Sequence, residues 1–302
     1  KKSLENSNVI KKGKLFFRKG DIRNYDFVRS VFLEFKYANN PIESVIHFAG
    51  IKSVPDSHVH PLNYWDVNVN GTIILLTVMK ENNCLNFVFS SSATIYKSDS
   101  SEKIKETHKL HPISPYGNTK LTIEKILGDL FNSERDKWRI ASLRYFNPAG
   151  SNPNSCLVEN VNSNSTNLFP TIFNVLDNKK ECLEVFGNNW PTKDGTCVRD
   201  YIHVTDLARA HILSLKYLLN NKPQNIAINI GTGNGASILD VINTFKNVLD
   251  LDIKYQFAKR RKGDYPYVVA DNSLAKSILK WQPGKNLSDI CKDSWNNHIK
   301  SL

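Results

Sequence analysis

The sequence Asn-Phe-Val-Phe-Ser-Ser-Ser-Ala-Thr-Ile-Tyr at residues 86–96 changes from apolar to hydroxyl-bearing side chains within one short segment. Its apolar half has the length of a buried strand, and small polar residues follow where that strand ends. Further along, Pro115 is followed by Tyr116 and, four residues later, by Lys120. A Tyr and a Lys spaced i, i+4 share one face of a helix. The two segments therefore predict a strand and a helix that bring hydroxyl, phenol and ammonium groups together.

The same alternation of strand-length and helix-length patterns covers most of the chain, which is typical of βα units around a parallel sheet. In such sheets ligands bind at the carboxyl ends of the strands. After Gly150 the pattern is less regular, and we expect a second, smaller domain there. The predicted strands are 15–17, 44–49, 86–91, 139–145 and 226–230, and the predicted helices are 25–38, 61–82, 116–131 and 204–219.

The composition indicates a globular protein with a sizeable core. The 302 residues are 40% hydrophobic, which excludes disordered, collagen-like and disulfide-scaffold classes. The net charge is +11, of which +6 lies in residues 1–20. A basic arm of this kind suits a polyanion, but a solvated lysine-rich segment is the more common reading.

Cysteine usage and hydropathy indicate the cellular compartment that we expect for the protein. The five cysteines are odd in number and form no Cys-x-x-Cys pair, so we expect reduced thiols and a cytoplasmic protein. No apolar run approaches the ~18 to 20 residues of a membrane span, so we expect no membrane partner.

Tyr116 and Lys120 suit proton exchange with an alcohol. A phenol has a pKa near 10, and a neighbouring ammonium favours its phenolate form. A hydroxyl such as that of Ser92 could hydrogen-bond the same substrate oxygen. A Tyr-x-x-x-Lys pair alone is common on exposed helices, so it is the triple serine and Pro115 at the helix entry that favour a catalytic role.

These residues resemble a known family. Ser-Ser-x-x-x-Tyr followed by Tyr-x-x-x-Lys is similar to the extended short-chain dehydrogenases/reductases, and further stretches narrow the resemblance to UDP-glucose 4-epimerases. The resemblance runs from about residue 15 to the C-terminus, and 194–204 is its most specific part. The stretches are 20–23 (Gly-Asp-Ile-Arg), 47–52 (His-Phe-Ala-Gly-Ile-Lys), 68–72 (Asn-Val-Asn-Gly-Thr), 144–148 (Arg-Tyr-Phe-Asn-Pro), 194–204 and 260–264.

The resemblance implies an α/β fold with a doubly wound parallel Rossmann sheet that lacks its first βαβ unit, and a smaller α/β substrate domain. Residues 1–148 would form the NAD-binding domain, to which the chain returns around 204–232, and 149–302 would bind a UDP-sugar. The implied activity is reversible 4-epimerisation of UDP-glucose and UDP-galactose by transient hydride transfer to NAD through a 4-keto sugar.

The resemblance also implies site residues. Tyr116 would be the acid/base, Lys120 would lower its pKa, and Ser92 would share the hydrogen bond to the sugar 4-hydroxyl. The implied cofactor-binding residues are Asp21, Ile22, Phe48, Ala49, Gly50, Ile51, Lys52, Ser92, Tyr116, Lys120, Tyr145 and Phe146. The implied substrate-binding residues are Lys52, Ser92, Tyr116, Asn147, Asn167, Leu168, Phe186, Arg199, Tyr201, Arg261 and Asp264.

These roles have physical support and plainer alternatives. Arginines such as Arg199 and Arg261 bind diphosphates by paired, charge-assisted bonds, and Asp264 can accept from ribose hydroxyls. Alternatively, Arg199 is a surface ion-pair partner of Asp200, and Asp21 is an ordinary helix N-cap.

Two other functions remain as alternatives. Nucleotide-sugar dehydratases of this family carry Asp-Glu after the threonine, whereas Thr94 is followed here by Ile95 and Tyr96. A non-catalytic basic module that binds nucleic acid has no RNP-like or helix-turn-helix pattern to support it. The partner we expect is therefore a UDP-sugar and not a nucleic acid. The family also implies a homodimer, with 58–82 and 116–131 as the interface helices.

The phosphate-binding loop is the first departure from the family. The Gly-rich fingerprint that should follow the first strand is absent, and 231–235 (Gly-Thr-Gly-Asn-Gly) follows a late strand and is no substitute. We therefore expect this chain to lack a βαβ unit of about 30 residues at its front, and to bind NAD and fold poorly when alone.

Two single positions also depart from the family. Val67 stands where many members have a cofactor-binding Asn, and Asn68 is the residue that could compensate. The position that limits the sugar pocket aligns with Val268, next to Tyr267. A small residue there implies that N-acetylated UDP-sugars are also accepted, whereas a shift of one residue reverses this expectation.

Overall fold

The central sheet is a parallel arrangement of four strands. A computed structural model describes residues 15–98, 101–153, 167–261 and 263–301 of the chain, so Cys156 and most of the basic cluster in 1–20 lie outside the described residues. The sheet order is β1-β2-β3-β8, and every pair is parallel. These strands are β1 (Ser44–His47), β2 (Asn86–Ser92), β3 (Arg139–Tyr145) and β8 (Gln224–Ile230).

Smaller sheets and twelve helical segments complete the described elements. The strands are β4 (Asn147–Ala149), β5 (Leu183–Phe186), β6 (Val198–Arg199), β7 (Tyr201–His203), β9 (Ala236–Ser237), β10 (Tyr255–Ala258) and β11 (Tyr267–Val268). The α-helices are α1 (Tyr25–Tyr37), α2 (Val54–Val59), α3 (Pro61–Tyr64), α4 (Gly71–Glu81), α5 (Pro115–Ser133), α6 (Leu168–Leu176), α7 (Val204–Asn220), α8 (Ile238–Leu249), α9 (Ser273–Leu279) and α10 (Leu287–Ile299). The remaining helical segments are a π-helix at Trp65–Asn70 and a 3-10 helix at Ala93–Ile95.

The sheet is covered on both faces, as its alternating apolar side chains require. Phe87 and Phe89 of β2 pack with α1, α4 and α5 on one face. Val88, which points to the other face, packs with α7, β8 and α9. Helices on both faces of a parallel sheet confirm the predicted α/β class.

The register places the predicted polar residues at one edge. Ser92 is the parallel partner of Tyr145, and Tyr145 is the partner of Ile230. Because all four strands run in the same direction, the residues that follow β1, β2 and β3 meet at the carboxyl edge of the sheet.

A buried ion pair supports the strand ends from below. Arg144 of β3 donates to both carboxylate oxygens of Glu124 on α5, at 3.0 and 2.6 Å, and both side chains are nearly fully buried. Arg144 also donates to the phenol oxygen of Tyr96 at 2.7 Å. Tyr96 in turn donates to Asn229 of β8 at 2.7 Å. Two strands, one helix and the segment after β2 are thereby joined beneath Tyr145.

A separate hydrophobic core lies in the second half of the chain. It contains Phe169 and Phe173 of α6, Phe245 of α8, and Ile290 of α10. The division into two domains at residue 148 stays a prediction. In the described part of the chain, no helix combines the length and apolar character that a membrane crossing needs.

The expectations for residues 15–17 and 61–82 need correction. Residues 15–17 form no strand, and Phe16 and Phe17 are 56% and 57% exposed, because no described strand lies beside them. Helix 61–82 is helical throughout, but its middle is the π-helix Trp65–Asn70. The other predicted helices and strands are confirmed to within a few residues.

Candidate active site

Lys120 is held inside the protein by the start of α5. Pro115 is its first residue, and the Ser114 side chain caps it by accepting from the Gly117 N–H at 3.0 Å. One and a half turns into the helix, Lys120 is only 5% exposed and donates from Nζ to the Ser90 carbonyl oxygen at 2.7 Å. Burial lowers the pKa of Lys120 to about 8. An ammonium has three N–H donors, so this group can also bind a ligand.

Tyr116 and Ser92 lie together at the same edge. Both are buried. Burial raises the pKa of Tyr116, and the Ser92 hydroxyl opposes that increase. The Lys120 Nζ lies 5.7 Å from the centre of the Tyr116 ring. The structure therefore brings the three predicted catalytic side chains together.

Asn68 ties the loop after β1 to the catalytic helix. Its Oδ1 accepts from the Ile51 N–H at 2.8 Å, and its Nδ2 donates to the Ile51 carbonyl at 3.1 Å and to Thr119 Oγ1 at 3.2 Å. A Cβ at residue 50 would come within 2.9 Å of that Oδ1, so only glycine fits there. Asn68 lies in the π-helix, and such segments are frequent at functional sites.

Tyr145 ends β3 against a histidine that our sequence analysis did not identify. The Tyr145 phenol is hydrogen-bonded to Nε2 of His211 on α7. The His211 ring also lies 4.7 Å, centre to centre, from the ring of Phe48, which is 59% exposed. Ala49, Gly50 and Lys52 are exposed, whereas Phe146 is buried.

Asp21 and Ile22 lie beside α1 and α4. Asp21 accepts from the Arg23 side chain, and this bond lowers the pKa of Asp21 to about 2. The N-cap of α1 is Asn24, so the alternative role of Asp21 as a helix cap is wrong. Ile22 packs on Gly71, where a Cβ would come within 2.6 Å of its Cδ1.

The predicted phosphate-binding arginines surround one carboxylate. Arg199 Nη2 lies 3.6 Å from Asp264 Oδ1, and Arg261 also interacts electrostatically with Asp264. The Arg261 guanidinium stacks 3.7 Å from the centre of the Phe186 ring. Two guanidiniums, one carboxylate and one aromatic ring therefore form a half-exposed cluster.

The other predicted substrate residues lie along β4, β7 and α6. Asn147 is the parallel partner of Tyr201. The buried Tyr201 ring meets Phe169 edge to face at 5.9 Å, one residue after Leu168. Asn167 is exposed and precedes α6, and its side chain makes no cap bond.

Asp200 anchors the late glycine loop and is not the ion-pair partner of Arg199. Its buried carboxylate accepts from the Thr232 and Gly233 N–H groups at 2.7 and 2.9 Å, and from the Ala270 N–H at 3.1 Å. A Cβ at residue 231 would lie 2.6 Å from Asp200 Oδ2. Because these N–H groups bind a carboxylate of the chain itself, the loop is unsuited to a cofactor phosphate, as its position in the sequence predicts.

Comparison with known proteins decides the family. Residues 1–294 match the family model described as GDP-mannose 4,6 dehydratase. The chain is 43% identical over 296 residues to UDP-glucose 4-epimerase of Bacillus subtilis (strain 168), covering 97% of this chain and 85% of that protein. The chain belongs to the UDP-glucose 4-epimerase family.

Solved epimerases share the fold. The structure of UDP-glucose-4-epimerase from Stenotrophomonas maltophila, with bound NAD and formylated UDP-arabinopyranose, matches at a TM-score of 0.88 and 37% identity, covering 99% of this chain and 90% of that one. The UDP-Glc/GlcNAc 4-epimerase from Campylobacter jejuni matches at a TM-score of 0.81 and 29% identity, covering 99% and 90%.

The segment after Thr94 separates this epimerase-family chain from the dehydratases that share the family model. Thr94 is followed by Ile95 and Tyr96, both fully buried, in place of the acidic pair that a dehydratase needs. The Ser92 Oγ accepts from Thr94 N–H and Oγ–H at 3.2 and 3.0 Å, which holds the turn next to the predicted catalytic residues.

His211, Asp200 and Thr119 are the functional or supporting residues that sequence reasoning missed. Their types are common in helices and loops, and nothing in their spacing marks them. The available signal was position: Thr119 lies next to Lys120, and Asp200 and His211 lie in or shortly after the specific stretch 194–204.

The burial of Lys120 predicts a measurable pH dependence of stability. Because the folded chain lowers this pKa from about 10.5 to about 8, the unfolded chain binds more protons between these values, and stability contributed by this site rises with pH. Lys120→Met removes the effect. The free energy of unfolding of Lys120→Met, taken relative to that of the wild type, should be greatest near pH 7. This difference should fall by about 3 kcal/mol as the pH rises to 10.5.

Chemical unfolding at a series of pH values measures this difference. Lys125→Met, an exposed lysine on the same helix, is the matched control and should show no such trend. A pH-independent difference for Lys120→Met would contradict the assignment of Lys120 as a buried ammonium.

Proposed function

We propose that this chain interconverts UDP-glucose and UDP-galactose at C4 with NAD as a bound cofactor. The observation that carries the proposal is the group of Tyr116, Lys120 and Ser92 at the carboxyl edge of a parallel sheet. It is supported by the relatives named as UDP-glucose 4-epimerases and by the neighbour that holds NAD and a UDP-sugar.

The three side chains divide the work at the sugar 4-hydroxyl. Tyr116 accepts the hydroxyl proton and returns it after the sugar has turned over. Its burial raises its pKa, so the positive charge of Lys120 and the Ser92 hydrogen bond are needed to favour the phenolate. Ser92 also orients the sugar oxygen towards Tyr116.

The residues present fit the nicotinamide end of NAD. Lys120 has donors to spare beside the Ser90 carbonyl, and the exposed ring of Phe48 lies at the same edge. Bound there, NAD would supply a reversible hydride acceptor for sugar C4 and would not be consumed, because the hydride would return to the opposite face of the sugar. We propose that Phe48, Ala49, Gly50, Ile51, Lys52, Tyr145 and Phe146 line the cofactor, with Asp21 and Ile22 at its adenine end.

The UDP-sugar is proposed to lie over the second half of the chain. Arg199 and Arg261 would pair with the diphosphate, displacing their shared contact with Asp264, which would then accept from the ribose hydroxyls. Lys52, Asn147, Asn167, Leu168, Phe186 and Tyr201 complete the proposed substrate set. Residues 1–148 and 149–302 would form the two domains of this site.

Replacing Tyr116 tests the proposal. Tyr116→Phe keeps the ring and removes the proton carrier, so conversion of UDP-galactose to UDP-glucose should fall about 100- to 10,000-fold. Tyr25→Phe, on the exposed surface of α1, is the matched control and should keep the wild-type rate. Wild-type turnover by Tyr116→Phe, or a wild-type chain that holds NAD without converting UDP-galactose, would contradict the proposed function.

The structure favours Val268 over Tyr267 as the residue that limits the sugar pocket. Val268 packs against a cluster that contains Ala93 and Phe146, next to the catalytic Ser92. Tyr267 points towards Gly235 instead. We propose that the small Val268 leaves room for an N-acetyl group, a substrate range that the related epimerase of Campylobacter jejuni has by its name.

A larger side chain at residue 268 should reduce the range of UDP-sugars that the protein accepts. Val268→Tyr should reduce turnover of UDP-N-acetylglucosamine at least 10-fold relative to UDP-glucose, because a hydrophobic pocket discriminates size by about this amount. Tyr267→Phe should leave the ratio unchanged. If Tyr267→Phe changes the ratio and Val268→Tyr does not, Tyr267 faces the sugar and the alignment is shifted.

We propose that the protein works as a cytoplasmic homodimer. Val59, Leu62, Trp65 and Ile73 expose apolar side chains along the segment from α2 to α4, and Leu62 is 81% exposed. Exposed apolar side chains grouped in this way favour burial against another subunit. The described cysteines are free, which suits a reducing compartment.

A charge in this apolar face should separate the subunits. Leu62→Asp is expected to shift the molar mass from dimer to monomer in size-exclusion chromatography with light scattering, because the interface would bury an unpaired carboxylate. Leu219→Asp changes an exposed leucine on α7 and serves as the control. A monomeric wild type, or a dimer that survives Leu62→Asp, would contradict this interface.

A further inference from the structure

His211 connects three parts of the carboxyl edge. It lies on α7, is 2% exposed, and places Nδ1 2.8 Å from the Leu207 carbonyl oxygen of its own helix. On the opposite side of the ring, Nε2 meets the phenol of Tyr145. The ring face packs on Phe48, which follows β1. The side chain therefore touches the last residue of β3 and the first residue after β1.

These contacts determine where the protons are. A carbonyl oxygen only accepts, so Nδ1 of His211 must carry a proton. Burial lowers the pKa of His211, so the ring is neutral and has one N–H. Nε2 is therefore an acceptor, and the hydroxyl of Tyr145 must donate its only proton to it.

The orientation of Tyr145 matters because a second phenol stands nearby. Tyr145 interacts electrostatically with Tyr116, and the Ser90 side chain opposes the rise in the pKa of Tyr145 that burial causes. The Ser90 carbonyl holds the Lys120 ammonium. A freely rotating hydroxyl on Tyr145 could direct its proton towards Ser90 and disturb the polar group that sets the charge balance of Tyr116.

We propose that His211 is a positioning residue for the proposed epimerase reaction, which acts by taking the proton of Tyr145. Tyr145 is thereby fixed as a donor directed away from Tyr116, and Tyr116 remains the phenol that exchanges protons with the sugar. The same ring supports Phe48 at the side proposed for the cofactor. The inference rests on the proposed function, but the protonation of His211 can be observed without turnover.

Nitrogen NMR of the histidine-labelled chain tests the protonation directly, with His211→Gln to assign the signal. We expect a neutral ring protonated on Nδ1 at pH 7, whose Nε2 shift changes in Tyr145→Phe. A ring protonated on Nε2, or on both nitrogens, would overturn the proposal. If this signature is present and the wild type does not convert UDP-galactose, the hydrogen bond stands and the proposed function fails.

Paired variants separate positioning from stability. His211→Gln keeps an acceptor for Tyr145, whereas His211→Met fills similar space without one. We expect His211→Met to lower kcat about 10-fold, with KM for UDP-galactose changed less than about 2-fold, and His211→Gln to recover most of that loss, because an unpaired buried hydroxyl is costly. In a Tyr145→Phe background, His211→Met should have little further effect.

A control histidine shows what loss of a buried ring does elsewhere. His298 stacks on Phe173 and binds Asp177, outside the site, so His298→Gln should lower the unfolding midpoint without changing kcat. If His211→Met and His211→Gln lower kcat equally, or if the loss persists in Tyr145→Phe, His211 has only a structural role. If His211→Met does not fold, the comparison of His211→Gln with Tyr145→Phe and the NMR signature decide.

Discussion

The contact between the Lys120 ammonium and the Ser90 carbonyl is the constraint on which this site depends. It joins α5 to the carboxyl end of β2 at 2.7 Å, with the lysine almost fully buried. Removing an ammonium from water is costly, and one carbonyl cannot replace its hydration. The lowered pKa of Lys120 records that cost. The neighbouring Thr119 adds a second tie, through Asn68, to the loop after β1, so three segments are positioned around one buried charge.

Asp200 is a second buried charge, and the chain satisfies it differently. Its carboxylate receives N–H groups from the 231–233 loop and from Ala270, so it is bonded almost entirely by backbone. Its neighbour Arg199 is thereby left to face Asp264. Asp200 therefore fixes two loops and takes no part in the contacts of Arg199, whose Nη1 donates to the Val198 and Tyr265 carbonyl oxygens at 2.9 and 2.8 Å. Lys120 has a single protein acceptor and spare donors, whereas Asp200 is fully used in structure.

Much of this arrangement could be predicted from local sequence. The strands at 86–91 and 139–145 and the helices at 25–38 and 116–131 are visible because apolar periodicity and capping residues act over a few positions. Residues 15–17 have an equally apolar pattern, but a strand also needs a neighbour, which a local pattern does not report. The π-helix at Trp65–Asn70 has no signal of this kind, since one extra residue in a turn leaves the apolar pattern almost unchanged.

Some residues of the candidate site can likewise be predicted from local sequence, and others cannot. The combination of residue types and spacing is unusual for Tyr116, Lys120 and Ser92, so these three can be recognised in the sequence. His211 cannot be recognised in this way, because its proposed role depends on two contacts made in the folded chain. The Leu207 carbonyl one turn earlier fixes its tautomer, and the Tyr145 phenol, 66 residues away in sequence, binds its other nitrogen. Pairing of Asp200 with its sequence neighbour Arg199 was only the plainer alternative, and the folded chain shows that backbone groups from distant loops bind this carboxylate instead.

The two halves of the proposed site differ in exposure, and this difference suits an epimerase. The side chains proposed for proton transfer are buried, and Lys120 is tied to the end of β2, so a hydroxyl placed beside them would meet a fixed geometry. These side chains are those of Tyr116, Ser92 and Lys120. Arg261 and Asn167, on the proposed nucleotide-sugar side, are exposed. A sugar that must present both faces of C4 needs room to turn between two hydride transfers, while the acid/base must stay in place for both. Fixed proton carriers beside a more open pocket meet both requirements, since the side chains that carry out the chemistry need not move when the sugar does.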